Sequence, residues 1–184
     1  MAGSGKSTVA KRLAERYSLR YCSGGDALKA LASEMGYDAD KQGWWESQEG
    51  MEFLKRRTEN PEFDRKVDMK LLDWAEKGDV VLDSRTMPWL LEGGFKIWLE
   101  ASEEVRTSRI AKRDRLTFEE ALRYLREKES RTKEIYKSLY GFDLGDDLSP
   151  FDLILDVNLL EKDETFQTLC MAIENLVLSK RKHH

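Results

Sequence analysis

The chain has 184 residues, 40 % hydrophobic and 36 % charged, with a formal net charge of −4. This is the balance of one globular domain that buries its own core, and it excludes wholesale binding to nucleic acid or an anionic membrane. Two distant cysteines, Cys22 and Cys170, and only two histidines, His183 and His184 at the C-terminus, exclude a disulfide framework, a metal-finger spacing and a histidine general base. The cysteines read as reduced, buried thiols, and the histidines as the start of a purification tag. No apolar run approaches the length of a membrane span.

The first element is the run Gly3-Ser4-Gly5-Lys6-Ser7-Thr8, the second half of a P-loop. Gly3 and Gly5 can adopt positive φ and turn backbone N–H groups inward. Those groups and the N-terminus of the following helix make an anion cradle. Lys6 is placed to reach outer phosphates and the Ser7 hydroxyl to hold a metal. The pattern's first glycine would stand one residue ahead of Met1. A buried strand normally feeds such a loop, so a short apolar segment is expected ahead of Met1.

Val9, Ala10, Leu13, Ala14 and Tyr17 form one face of the helix that the loop opens. A short strand is expected over Leu19 to Cys22. Ser23-Gly24-Gly25 then turns into a helix through Leu28, Leu31 and Met35. Asn60 caps another helix with Pro61 in its first turn; it carries Phe63, Val67, Leu71 and Leu72 and ends near Gly78. Asp79 to Leu82 reads as a strand stopping at Asp83-Ser84-Arg85, and Lys96 to Leu99 as the next. Ser102 caps a helix to about Arg113. Thr117 and Glu120 form a capping box for a long charged helix. Gly141 to Pro150 is a loop, Leu153 to Asp156 the last strand, and a terminal helix runs from about Asp163 to Ser179. Short apolar strands alternating with helices imply an α/β fold, a parallel sheet with helices on both faces.

Ligands of such sheets sit at the carboxyl ends of the strands. The P-loop, Ser23-Gly24-Gly25-Asp26 and Asp83-Ser84-Arg85 all fall there. A phosphate donor on the first would face a second site built from the other two, which is the layout of a small kinase.

These segments resemble the nucleoside monophosphate kinases, and among them the archaeal type of cytidylate kinase. The likeness runs through Asn60-Pro61-Glu62-Phe63-Asp64-Arg65, Lys96-Ile97-Trp98-Leu99, Ala101-Ser102-Glu103-Glu104-Val105-Arg106, Tyr140-Gly141-Phe142-Asp143 and Asp147 to Leu153. It implies a P-loop NTPase fold in one domain, 1–184, with a helical acceptor-binding insertion over 24–75 and a lid over about 113–145. It implies ATP held by Gly3, Ser4, Gly5, Lys6, Ser7, Thr8, Arg109 and Arg113, with Mg²⁺ on Ser7 and Asp83. The acceptor would lie among Ser23, Gly24, Asp26, Lys29, Asp64, Asp83 and Arg85; Lys29 stands where the family usually has arginine. Lys6, Arg85, Arg126 and Arg131 are the catalytic candidates. The implied reaction is phosphorylation of CMP or dCMP by a cytoplasmic monomer or weak dimer that binds neither nucleic acid nor membrane. The alternatives are another small acceptor (AMP, dUMP or a shikimate-like metabolite) and a nucleotide-binding regulatory or RNA-associated ATPase. Trp44 and Trp45, in the long segment Gly36 to Glu59, read as core of a helical insertion, with stacking on an acceptor base as the alternative.

Removing the loop's cation tests this directly. Lys6→Ala is expected to lower phosphoryl transfer by about 10²–10³, the usual effect of losing one electrostatic contact to a transition state. Turnover is measured beside a far-ultraviolet circular dichroism spectrum that stays that of the wild type.

Overall fold

The computed structural model describes residues 1–60 and 62–179. Pro61 and the basic, histidine-bearing C-terminus, for which a first-turn proline and a tag were expected, lie outside the described residues. Helix α1 (Lys6–Arg16) leaves the phosphate loop and leads into β1 (Arg20–Ser23) and α2 (Gly24–Glu34). A single 3₁₀ turn (Trp44–Glu46) precedes α3 (Gln48–Glu59) and α4 (Glu62–Glu76). Then come β2 (Val80–Asp83), the short α5 (Met87–Leu90), β3 (Ile97–Glu100), α6 (Glu103–Asp114), α7 (Phe118–Tyr140), β4 (Leu153–Asp156) and α8 (Lys162–Ile173), which runs on into a π-helical turn (Glu174–Leu178).

The caps follow the local chemistry. Ser23, Ser47 and Ser102 each accept the backbone N–H three residues on. Thr117 and Glu120 close the expected capping box over the 23-residue α7. Asn60 Oδ1 accepts the Glu62 N–H at 3.2 Å at the start of α4. Residues 115–117 alone join α6 to α7, with Arg115 in the left-handed region at φ 59°.

All strand pairing is parallel, as expected, but the sheet is divided. β1 pairs with β2 in the register Arg20 to Val80, and β3 with β4 in the register Ile97 to Leu153. β2 and β3 do not pair, and no strand of the described chain joins them. Met1 instead packs in an apolar cluster with Trp98 and Leu144.

Each pair has its own core. Around β1 and β2, residues from α2, α3 and α4 bury Leu28, Ala32, Phe53, Val67 and Leu71 together with Trp44, which is 1 % exposed. Trp44 therefore has the core role expected of the insertion. Around β3 and β4, α1 and α8 bury Val9, Leu13, Leu99, Val157 and Leu169. A third cluster ties α3 to α7 through Leu54, Ile135 and Tyr136. The two cysteines are free thiols, Cys22 buried and Cys170 partly so. Among the described residues no helix is long and apolar enough to cross a membrane.

Leu71 is fully buried where α4 meets β1, β2 and α2. Leu71→Ala is expected to cost about 2–5 kcal/mol, the lost transfer energy plus the cavity left behind, read as a fall in urea midpoint at constant slope.

Candidate active site

The phosphate loop is built around two left-handed glycines. Gly3 has φ 77° and Gly5 has φ 92°. A Cβ on Gly3 would lie 2.7 Å from the carbonyl oxygen of Arg106, so glycine is required there for space as well as for conformation. Ser4, buried, donates its hydroxyl to the Met1 carbonyl at 3.0 Å and closes the turn. Gly5 caps α1 without any side-chain hydrogen bond. The N–H groups of Lys6, Ser7 and Thr8 therefore have no partner within the helix and add to its positive end.

Arg106 of α6 holds this loop from behind. Its Nε donates to the Ala101 carbonyl at 3.0 Å and its Nη1 to the Ala2 carbonyl at 3.3 Å, while Glu129 of α7 pairs with the same Nη1. The loop, α6 and α7 are thereby locked together.

A cavity of about 780 Å³ opens in front of the loop. It is lined by Gly3, Ser4, Gly5, Lys6, Ser7 and Thr8, by Ser23 and Gly24, by Asp64, Asp83 and Arg85, and by Arg109 and Arg113. Most of the residues that the sequence nominates thus share one space. At its centre Lys6 pairs with Asp83. The Asp83 carboxylate is buried and accepts the Tyr21 hydroxyl at 2.8 Å through Oδ2. Burial and the nearby Arg85 push the Lys6 ammonium down, and Asp26 pulls it up. Among the described residues Arg85 has no carboxylate within ion-pair distance. It is a free guanidinium at the end of β2, the natural seat of an anion.

Asp26 and Lys29, on α2, do not line the cavity. Nor do two α7 arginines. Arg126 makes a two-bond pair with Glu103 at 2.9 and 2.7 Å, and Arg131 pairs with Glu127 one turn away. Arg109 reaches the cavity while donating to the Val157 carbonyl at 2.9 Å. Arg113 pairs with Asp114 and lies 3.3 Å from Glu46.

The structure adds residues that the motifs did not reveal. Arg57, 2 % exposed, makes a two-bond pair with Asp64, and both line the cavity beside Tyr136. Asp68 lines it too, accepting the hydroxyls of Thr86 at 2.5 Å and Tyr140 at 2.7 Å; burial pushes its carboxyl up. Lys128 and Glu46 complete the wall. One signal was available: Arg57 and Lys128 fall at helical spacing within apolar stripes, after Phe53 and Leu54 and after Ala121 and Leu125, where an unpaired charge has no structural use.

A divalent metal fits this donor set only in company with phosphates. Among the described residues no three acidic, cysteine or histidine side chains gather as a metal cage. Asp83, whose Oδ1 pairs with Lys6, nevertheless lines the cavity together with Ser7. One carboxylate and one hydroxyl beside a phosphate cradle suit a hard cation that keeps several waters and substrate oxygens.

The model of a family described as the cytidylate kinase-like family matches residues 1–159. A cytidylate kinase of Methanopyrus kandleri is 37 % identical over 188 residues, covering 96 % of this chain and 91 % of its own. One from Methanocaldococcus jannaschii is 36 % identical, covering 96 % and 95 %. One from Pyrococcus horikoshii is 34 % identical, covering 96 % and 86 %. In three dimensions, an uncharacterized protein from Eubacterium ventriosum superposes with a TM-score of 0.57 at 16 % identity, over 94 % of this chain and 93 % of its own, a likeness of fold alone.

Gly3→Ala tests the loop. A left-handed non-glycine residue costs about 1–3 kcal/mol, and here the added methyl also meets Arg106. The expected result is a larger loss in denaturant midpoint than for Gly94→Ala, where φ is 79° but nothing lies within 4 Å, together with loss of pyrophosphate binding in Gly3→Ala alone.

Proposed function

The chain belongs to the cytidylate kinase-like family and has the P-loop NTPase-type fold, and on that footing we propose that it transfers the terminal phosphoryl group of ATP, held with Mg²⁺, to CMP or dCMP. The observation that carries this reading is the single cavity that joins the phosphate loop to the free guanidinium of Arg85 and the buried Arg57–Asp64 pair.

Phosphoryl transfer asks for positioning and charge neutralisation rather than covalent help. The loop's N–H groups and Lys6 hold the donor's outer phosphates, and Arg85 holds the acceptor's with a planar fork. Bound beside Ser7 and Asp83, the metal would neutralise charge on the donor's phosphate oxygens. The nucleophile is an oxygen of the acceptor's own phosphate, whose second proton leaves near pH 6. No general base is needed, which agrees with a chain whose only histidines are its last two residues.

Cytosine presents an amino donor beside two acceptors. The N–H groups of Arg57 not used by Asp64, and the second lone pairs of the Asp64 and Asp68 carboxylates, offer the complementary donors and acceptors. Uracil reverses two of these positions and would leave buried groups unpaired, a penalty of about 1–3 kcal/mol for each.

ADP formation is measured with CMP, dCMP, UMP, dUMP, AMP and shikimate as acceptors, with and without a chelator. The expected result is preference for CMP or dCMP and loss of activity on chelation; acceptor-independent ATP hydrolysis would overturn the reading. Arg85→Lys should raise the acceptor KM or lower kcat while sparing ATP binding. Arg85→Ala should cost more, about 2–5 kcal/mol in kcat/KM for a charge partner lost from a desolvated site.

A further inference from the structure

Lys128 faces the cavity from α7, in the stripe of Ala121, Leu125, Thr132 and Ile135. It is 7 % exposed. Its ammonium lies 4.8 Å from the centre of the Trp45 ring and donates to Glu46 Oε1 at 3.2 Å. Glu46, on the 3₁₀ turn, is 4 % exposed, and its Oε2 receives no hydrogen bond although Arg113 stands 3.3 Å away. One carboxylate is therefore shared by two cations. The same lysine lines a side recess with Met1, Arg85, Glu129 and Thr132; the Glu129 carboxylate is taken up by Arg106, and the buried Thr132 hydroxyl lacks a partner among the described residues.

A buried ammonium is costly unless its charge is fully opposed. Half a carboxylate does not oppose it, and Arg85 and Arg113 add repulsion. Burial and these neighbours push Lys128 down to about 8, against the pull of Glu46. The missing negative charge is that of a phosphate. Lys128 lines the same cavity as Lys6 and Arg85, the cations placed to hold the phosphates of donor and acceptor.

Building on the kinase reading, we propose that Lys128 is a further catalytic residue, held by Glu46 in the resting site and released to the transferring phosphoryl group when both nucleotides are bound. A bond forms from an oxygen of the acceptor phosphate to the γ-phosphorus as the bond from that phosphorus to the β–γ bridging oxygen breaks. The electron pair leaves on ADP and no proton moves. Lys128 adds a positive charge to the equatorial oxygens, where charge is spread in this transition state. Glu46 is a positioning residue that occupies the ammonium until phosphate competes for it.

Lys128→Met, Lys128→Arg and Glu46→Gln are compared with the wild type in turnover with ATP, Mg²⁺ and CMP, and in calorimetric titration with inorganic pyrophosphate. Lys128→Met should lower kcat by about 10²–10³ with both KM values within about threefold, and Lys128→Arg should recover about tenfold or more of that loss. Glu46→Gln should bind pyrophosphate about 3- to 10-fold more tightly, because the competing carboxylate charge is gone, whereas a merely structural ion pair would give equal or weaker binding. A cooperatively unfolding Lys128→Met enzyme with kcat within about threefold of wild type overturns the proposal, as does a Glu46→Gln protein with no gain in pyrophosphate affinity. Should the wild type show no acceptor-dependent ADP formation, the kinase reading falls by itself. The titrations then decide on Lys128 alone, with loss of pyrophosphate affinity in Lys128→Met supporting its place at the phosphate and unchanged affinity overturning it.

Discussion

The clasp made by Arg106 is the interaction on which the site depends. Its carbonyl fixes how closely α6 approaches Gly3, and its guanidinium joins the Ala2 carbonyl, the Ala101 carbonyl and Glu129 of α7. One side chain therefore sets the position of the anion cradle relative to the two helices that carry Arg109, Arg113 and Lys128. Arginine suits this post because its planar fork serves several acceptors at once without changing charge.

Around that clasp the cavity is a set of matched charges with a deliberate remainder. Lys6 faces Asp83, Arg57 faces Asp64, and Arg113 faces Asp114. Among the described residues Arg85 has no acid within ion-pair distance, and Lys128 shares the carboxylate of Glu46 with Arg113. Buried ion pairs seldom add much net stability, since desolvation offsets attraction. Their use here is to keep cations oriented until a polyanion arrives. The unmatched charges are the selective ones, because only a ligand bringing several negative charges satisfies them together.

Much of this was legible in the residues. The loop, the Ser102 and Thr117 caps and the parallel strands follow from local rules, so Ser102, Thr117 and Glu120 behave as their spacing implies. The short α5, with Pro88 in its first turn, escaped notice because four residues carry no periodicity. The division of the sheet could not be read from strands that are individually correct, since pairing is decided by neighbours far away in the chain. At the site, motif positions near strand ends converged on the cavity, whereas the choice among the arginines of α6 and α7 did not follow from sequence. Arg126 and Arg131 carry the same charge as Arg113, but helical phase turns them to Glu103 and Glu127. Trp44 and Trp45 are adjacent and part company for the same reason: one enters the core, the other borders the cavity.

The long-range strand registers have a consequence for how the chain reaches this state. Both pairs are parallel and join residues roughly 60 positions apart, so no sheet hydrogen bond can form until a large loop has closed. The capped helices can form within microseconds, and the strands must wait for them to collapse. During that interval the apolar strands are exposed to other chains. Each is only four residues long, shorter than the six or seven that roughly suffice for a cross-β zipper. Strand brevity, which makes the sheet modest, protects the slow step of folding from aggregation.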